Sequence, residues 1–253
     1  MLLQTKGIYK RFGAVEVLRG VDFEAPGGEV TALLGDNGAG KSTLIKCIAG
    51  THVPDAGEIY LDGELQHFRT PHDAAKGGVE TVYQDLSLCD NLNVAENIFL
   101  GREVPARNLS AALGGMDETL MESVARQALA ELHIDLPSAS MPVEALSGGQ
   151  RQAIAIAKTL LGSPRVVILD EPTAALGVAQ THQVLDLIRR LRERGLAVVL
   201  ISHNLGDVFE VADTAIVLRL GRRVAKLSIA QTTPPEVVAA ITGAHAFAGT
   251  LPR

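Results

Sequence analysis

The chain has 253 residues, 47% apolar and 21% charged, which is enough to enclose one large core or two small ones. Its formal net charge of −6 argues against a general nucleic-acid binder and against electrostatic attachment to anionic lipid, both of which call for a basic surface. No apolar run approaches the roughly 18–20 residues that cross a bilayer, and the opening MLLQTKGIYKRF lacks the long apolar stretch of a secretory leader.

In chain order, residues 1–30 and Gly57–Phe68 carry alternating segments. Glu58-Ile59-Tyr60-Leu61 followed by Asp62-Gly63 predicts an antiparallel hairpin layer. Val30–Leu34 predicts a buried strand, followed by the glycine-rich GDNGAGK and a helix over Thr43–Ala49 ending at Gly50. Cys47 and Cys89 have neither metal nor redox spacing, so both are expected to be small buried hydrophobes in a reducing, cytoplasmic compartment. Asp117–Leu132 places Leu120, Met121, Val124, Ala128, Leu129 and Leu132 on one helical face, between polar loops at Glu103–Gly115 and Asp135–Glu144. A further helix is predicted over Arg151–Leu161.

Val166–Leu169 and Ala197–Ile201 are continuous apolar strands, the pattern of a sheet covered on both faces. Between them, Ala179–Arg194 reads as a helix stopped by Gly195. Ala215–Leu220 and Arg222–Leu227 form a late hairpin around Gly221. From Ala244 the sequence is small and apolar with no period. Strands alternating with helices predict an α/β fold with a mostly parallel sheet. Residues 1–85 and 163–230 would form the α/β core, with an antiparallel β subdomain, an inserted α-helical subdomain over about 86–162, and a tail over 231–253.

Three groups of residues carry chemistry. Gly35-Asp36-Asn37-Gly38-Ala39-Gly40-Lys41-Ser42 fits G-x-x-x-x-G-K-[ST] between a predicted strand and a predicted helix. Its glycines let consecutive N–H groups turn inward on an anion, and the helix beginning around Thr43 points its positive end at the same place. Lys41 supplies a point charge for the β- and γ-phosphates, and the Ser42 hydroxyl can ligate Mg²⁺. The strand VVIL ends in Asp170 and Glu171, one carboxylate for the metal and one to accept a proton from an attacking water. The third group is Ser147-Gly148-Gly149-Gln150. Ser147 and Gln150 have capping-box spacing, which by itself makes a helix start. Two adjacent glycines exceed that need and suggest a second anion site at a helix N-terminus.

Leu146-Ser147-Gly148-Gly149-Gln150, the phosphate loop and Leu169-Asp170-Glu171-Pro172 together resemble the ATP-binding subunits of ABC transporters. The resemblance implies a P-loop NTPase with a RecA-like core. It implies a head-to-tail homodimer, or a pair with another ATPase, in which each ATP lies between one copy's phosphate loop and the other's Ser147–Gln150. By the same resemblance Gln84 looks like the glutamine that senses Mg²⁺ and the transport side. His203, in Leu200-Ile201-Ser202-His203-Asn204, looks like the γ-phosphate histidine. Phe12 looks like the aromatic that stacks on adenine, with Tyr9 as a possible substitute. One departure is Gly177, where the family usually has an aspartate that couples the two half-sites.

VYQDLSLCDNLNVAENIFLGRE, LSGGQRQAIAIAK and EPTAALGV are similar to monosaccharide importers of the ribose, xylose and fructose group. That implies a peripheral subunit on the cytoplasmic face of the membrane, beneath integral-membrane permease subunits fed by a periplasmic sugar-binding protein. The alternatives are a transporter ATPase for another cargo (an amino acid, a lipid, an autoinducer), a non-transport ABC ATPase acting on ribosomes or DNA, or a small-molecule kinase. The kinase would have no use for Ser147–Gln150.

Overall fold

The computed structural model describes residues 1–106 and 115–244. The expected loop at Glu103–Gly115 falls partly, and the stretch beyond Ala244 wholly, outside them.

The six-stranded sheet runs in the order β10-β9-β3-β8-β7-β6. Its members are β3 (Val30–Gly35), β6 (Val79–Val82), β7 (Val166–Asp170), β8 (Ala197–Ile201), β9 (Thr214–Arg219) and β10 (Arg222–Ser228). All pair in parallel except the β9–β10 hairpin. The continuous apolar runs have a simple cause. Alternate residues face opposite sides, and each side meets its own core. Val30, Ala32, Leu34, Val167, Leu169, Val198 and Leu200 join one cluster, while Leu33, Val166, Ile168, Val199 and Ile201 join the other. Each such side chain contributes about 1.5–3 kcal/mol when fully buried.

The second cluster is covered by α1 (Lys41–Ile48), through Leu44, Ile45 and Ile48, and by a separate antiparallel sheet. That sheet has the order β2-β1-β4-β5, from β1 (Leu3–Phe12), β2 (Val15–Ala25), β4 (Ala56–Leu61) and β5 (Glu64–Gln66). The predicted hairpin over Gly57–Phe68 is β4–β5, and Asp62 and Gly63 both take positive φ, 54° and 80°. Two consecutive positive φ angles are the requirement of the tight turn that Asp-Gly favours. Cys47 lies inside this cluster, and burial pushes its thiol up to about 11. Cys89 is only partly buried, contrary to the expectation for both cysteines.

The first cluster is covered by α3 (Val94–Phe99), α4 (Glu118–Glu131), α5 (Gly148–Leu160) and α6 (Val178–Glu193). Met121, Ala125 and Leu129 of α4, Ile98 of α3 and Ile154 of α5 meet in it. The sequence places α4 and α6 to within two residues, but it starts α5 late, at Arg151. The Ser147 cap moves that start back to Gly148. Helix α1 likewise starts at Lys41 and not Thr43, because the phosphate loop itself serves as its N-terminal turn.

Four short helices were not anticipated: α2 (Pro71–Lys76), α3, α7 (Leu205–Val211) and α8 (Pro234–Thr242). Three of them announce themselves by capping boxes at Thr70/Asp73, Asn93/Glu96 and Thr233/Glu236. They are too short for apolar periodicity to reveal.

Candidate active site

The phosphate loop closes on itself. Gly35 has φ 147°, and a Cβ there would lie 2.3 Å from the Leu218 carbonyl oxygen. Gly40 has φ 105°, and a Cβ would lie 2.8 Å from Leu18 Cδ2. Both positions exclude any side chain. Asp36 Oδ1 accepts the Asn37 N–H at 2.7 Å, and the Asp36 carbonyl accepts the Ala39 N–H at 3.1 Å. Lys41 folds back over the loop, donating to the carbonyls of Gly35 at 2.7 Å and Asp36 at 3.1 Å. Gly38, Ser42 and Thr43 complete the turn into α1. The first turn of α1 holds no acidic residue and no side-chain cap, which leaves its positive end free for an anion.

Parallel pairing brings the other groups to the same edge, since β3, β8, β7 and β6 all end there. Asp170 is the last residue of β7 and pairs with Ile201 of β8. The Glu171 N–H extends that ladder to the Ile201 carbonyl at 2.9 Å. His203 follows β8 by two residues, and its Nδ1 lies 2.7 Å from Glu171 Oε2. The Glu171 side chain is largely buried and that of His203 largely exposed. Glu171 also takes φ 52°, an uncommon backbone for a residue with a side chain. Gln84, exposed, follows the end of β6.

Burial, and then the neighbouring Glu171, raise the Asp170 carboxyl above the usual carboxylate range, with Lys41 and Lys46 opposing. The donor set would suit Mg²⁺: the Asp170 carboxylate, the Ser42 hydroxyl and the Gln84 amide offer hard oxygens. Among the described residues no cluster of three or more His, Cys, Asp or Glu could hold a metal alone. Mg²⁺ does not need one, because it takes one or two carboxylates and fills its shell with phosphate oxygens and water.

Ser147–Gln150 sits elsewhere. Ser147 caps α5: its Oγ accepts the Gln150 N–H at 3.3 Å, and Gln150 Oε1 accepts the Ser147 N–H at 3.0 Å. Ser147 and Gly148 are exposed, but Gly149 is buried, where a Cβ would lie 2.9 Å from Gln180 Cβ on α6. So the capping box is real, and close packing of α5 on α6 by itself accounts for one of the two glycines. Among the described residues no hydrogen bond joins this turn to the phosphate loop.

A family model described as ABC transporter matches residues 18–174, more than half of the chain. The fructose import ATP-binding protein FrcA of Rhizobium meliloti is 46% identical over 245 residues, 96% of this chain and 94% of that protein. The chain belongs to the ABC transporter family. Another member, the xylose/arabinose import ATP-binding protein XylG of Sulfolobus acidocaldarius, is 43% identical over 95% of this chain and 94% of its own length. Among solved ABC transporter structures, the ADP conformation of the ATP-binding cassette MJ1267 has a TM-score of 0.82 at 27% identity, covering 96% of this chain and 98% of that one. The fold is thus that of a P-loop ATPase cassette, one that binds and hydrolyses ATP.

Two further positions singled out in the sequence lie at element ends. Phe12 is 45% exposed at the β1–β2 turn, its ring edge-on to His52 at 5.2 Å and under Lys10 Nζ at 5.6 Å. Tyr9 is 41% exposed, with the hydroxyl end of its ring beside Gly20. Gly177 caps α6 with open space around it, and its N–H donates to Gln180 Oε1 at 3.3 Å. One buried carboxylate near the edge that bears Glu171 and His203 escaped the sequence reading. Asp207, in α7, has no motif to mark it; only its burial singles it out.

Proposed function

We propose that this chain is the ATP-hydrolysing subunit of an importer that takes up a monosaccharide. In this reading it works as a homodimer, or with a paired ATPase, on the cytoplasmic face of the membrane beneath permease subunits. A periplasmic sugar-binding protein delivers cargo to them. Among the described residues no helix is long and apolar enough to cross a membrane. The observation that carries the hydrolytic part is the Glu171–His203 contact of 2.7 Å at the sheet edge that also bears the phosphate loop.

ATP is held by the N–H groups of Gly35–Ser42 and by Lys41, which leaves its two carbonyl partners for the phosphates. Phe12 stacks on the adenine. The Ser147, Gly148 and Gly149 N–H groups and Gln150 of the second copy complete the site from the other side, since among the described residues no hydrogen bond joins them to the phosphate loop of their own chain. Ser42, Asp170 and Gln84 would hold Mg²⁺, which when bound neutralises charge on the β- and γ-phosphate oxygens. Glu171 accepts a proton from the attacking water while His203 holds its carboxylate and reaches toward the γ-phosphate. Catalysis is mainly positioning and electrostatics. Residues 86–162 form the helical subdomain that, with the Gln84 segment, turns closure of the dimer into movement of the permease. The cargo assignment leans on relatives named for fructose, xylose or arabinose, and ribose import.

The test is Glu171→Gln. It should lower hydrolysis by about 10²–10⁴-fold while leaving ATP affinity within twofold, and should trap an ATP-bound dimer visible by light scattering. A variant that stays monomeric in saturating ATP, with and without permease, would remove Glu171 from this role. Calorimetry of the partner binding protein against sugars, amino acids and lipids separates monosaccharide import from the other cargoes.

A further inference from the structure

We propose that Asp207 is a positioning residue for hydrolysis, tying the loop that carries Glu171 to the loop that carries His203. The proposal rests on Glu171 being the proton acceptor. Asp207 lies in the first turn of α7 and is 5% exposed. A carboxylate is costly to bury unless its oxygens are bonded, so its partners are informative. Its Oδ2 accepts the Thr173 hydroxyl at 2.5 Å, and its Oδ1 accepts the Asn204 side-chain amide at 2.9 Å. The first distance is at the short end of the range for hydroxyl-to-carboxylate bonds, about 2.5–2.7 Å.

The bridge spans two elements. Thr173 follows Glu171 by two residues, and Asn204 follows His203 by one. Helix capping explains only part of it. Asn204 Oδ1 caps α7 by accepting the Gly206 N–H at 2.9 Å, and an acidic residue in a first helical turn is favoured by the dipole. Neither requirement turns Asp207 inward, nor directs it to a threonine 34 residues earlier in the chain.

What the bridge holds is a strained loop. Glu171 and Ala175 take φ of 52° and 59°, a backbone that non-glycine residues keep only where their surroundings enforce it. Thr173 stands midway between them. Fixing it to Asp207 fixes the turn whose first residue presents its carboxylate to His203. Misplacing a catalytic group by about 1 Å can cost about 10²-fold in rate, so a bridge of this kind acts on kcat.

Thr173→Val removes the hydroxyl at nearly constant volume. It should lower kcat about tenfold with KM for ATP within twofold, and Thr173→Ser should restore the rate. In a Glu171→Gln background the same substitution should cost less than twofold, because the group it positions is gone. An unchanged kcat in Thr173→Val overturns the bridge and leaves Glu171 in place. So does a rise in KM with kcat held, no rescue by Thr173→Ser, or an equal loss in both backgrounds. If Glu171→Gln itself hydrolyses ATP at the wild-type rate, the reading of Glu171 fails and positioning through it fails too. Asp207→Ala tests the other end and should match Thr173→Val in kcat, with a thermal midpoint recorded alongside; a wild-type kcat in it also overturns the proposal.

Discussion

The two glycine-rich turns differ in what forces their sequence. In the phosphate loop the requirement is backbone geometry: Gly35 and Gly40 take positive φ, and their Cβ positions are filled by Leu218 and Leu18. In Ser147–Gln150 neither glycine has positive φ, and the tight contact is with a side chain of a neighbouring helix, Gln180. The first turn is a preformed cradle with its lysine already folded across it. The second is a capped helix start that is complete without any ligand. A glycine pattern therefore has to be judged by which atoms occupy the missing Cβ.

That contrast can be broken most sharply at Lys41. Lys41→Ala should weaken ATP binding to a single chain by about 10²-fold, the order expected for losing a charge-assisted contact, and should hardly change the thermal midpoint. Unchanged binding by nucleotide titration would mean the cradle holds no phosphate. Ser147→Ala should act on the other turn alone. It should destabilise the chain by about 1 kcal/mol through the lost cap and slow hydrolysis, with single-chain ATP affinity within twofold. A fall in single-chain affinity comparable with that of Lys41→Ala would erase the distinction between the two turns. The smallest effect is expected at Gly177→Asp. The site is sterically open, and aspartate is better than glycine as a helix N-cap by only a few tenths of a kcal/mol. The Hill coefficient for hydrolysis should change while ATP affinity stays within twofold; equal shifts in both would refute a coupling role.

The sheet edge that bears Asp170, Glu171 and His203 was readable in advance because its parts are local. Val166–Asp170 and Ala197–Ile201 reveal themselves by apolar content, and in a parallel sheet the residues just after such strands must share one edge. Asp207 was not readable. A bridge from α7 to Thr173 has no fixed spacing, and an aspartate in a first helical turn is ordinary. The short helices α2, α3 and α8 went unread: six to nine residues carry too few turns to display a period, and their capping boxes were the one local mark they offered.

By itself, then, the sequence determined the strands of the six-stranded sheet apart from β6, the long helices, and the glycine-rich loop between β3 and α1. These depend on hydrophobic period and backbone chemistry within a few residues. Tertiary structure alone decided the pairing of β1 with β4 and the burial of Gly149 on Gln180. It also decided the 2.7 Å meeting of Glu171 with His203 and the bridge beneath them. Those contacts join residues that only the packed sheet and its helices bring within a bond's length, and no local preference encodes a distance across the fold.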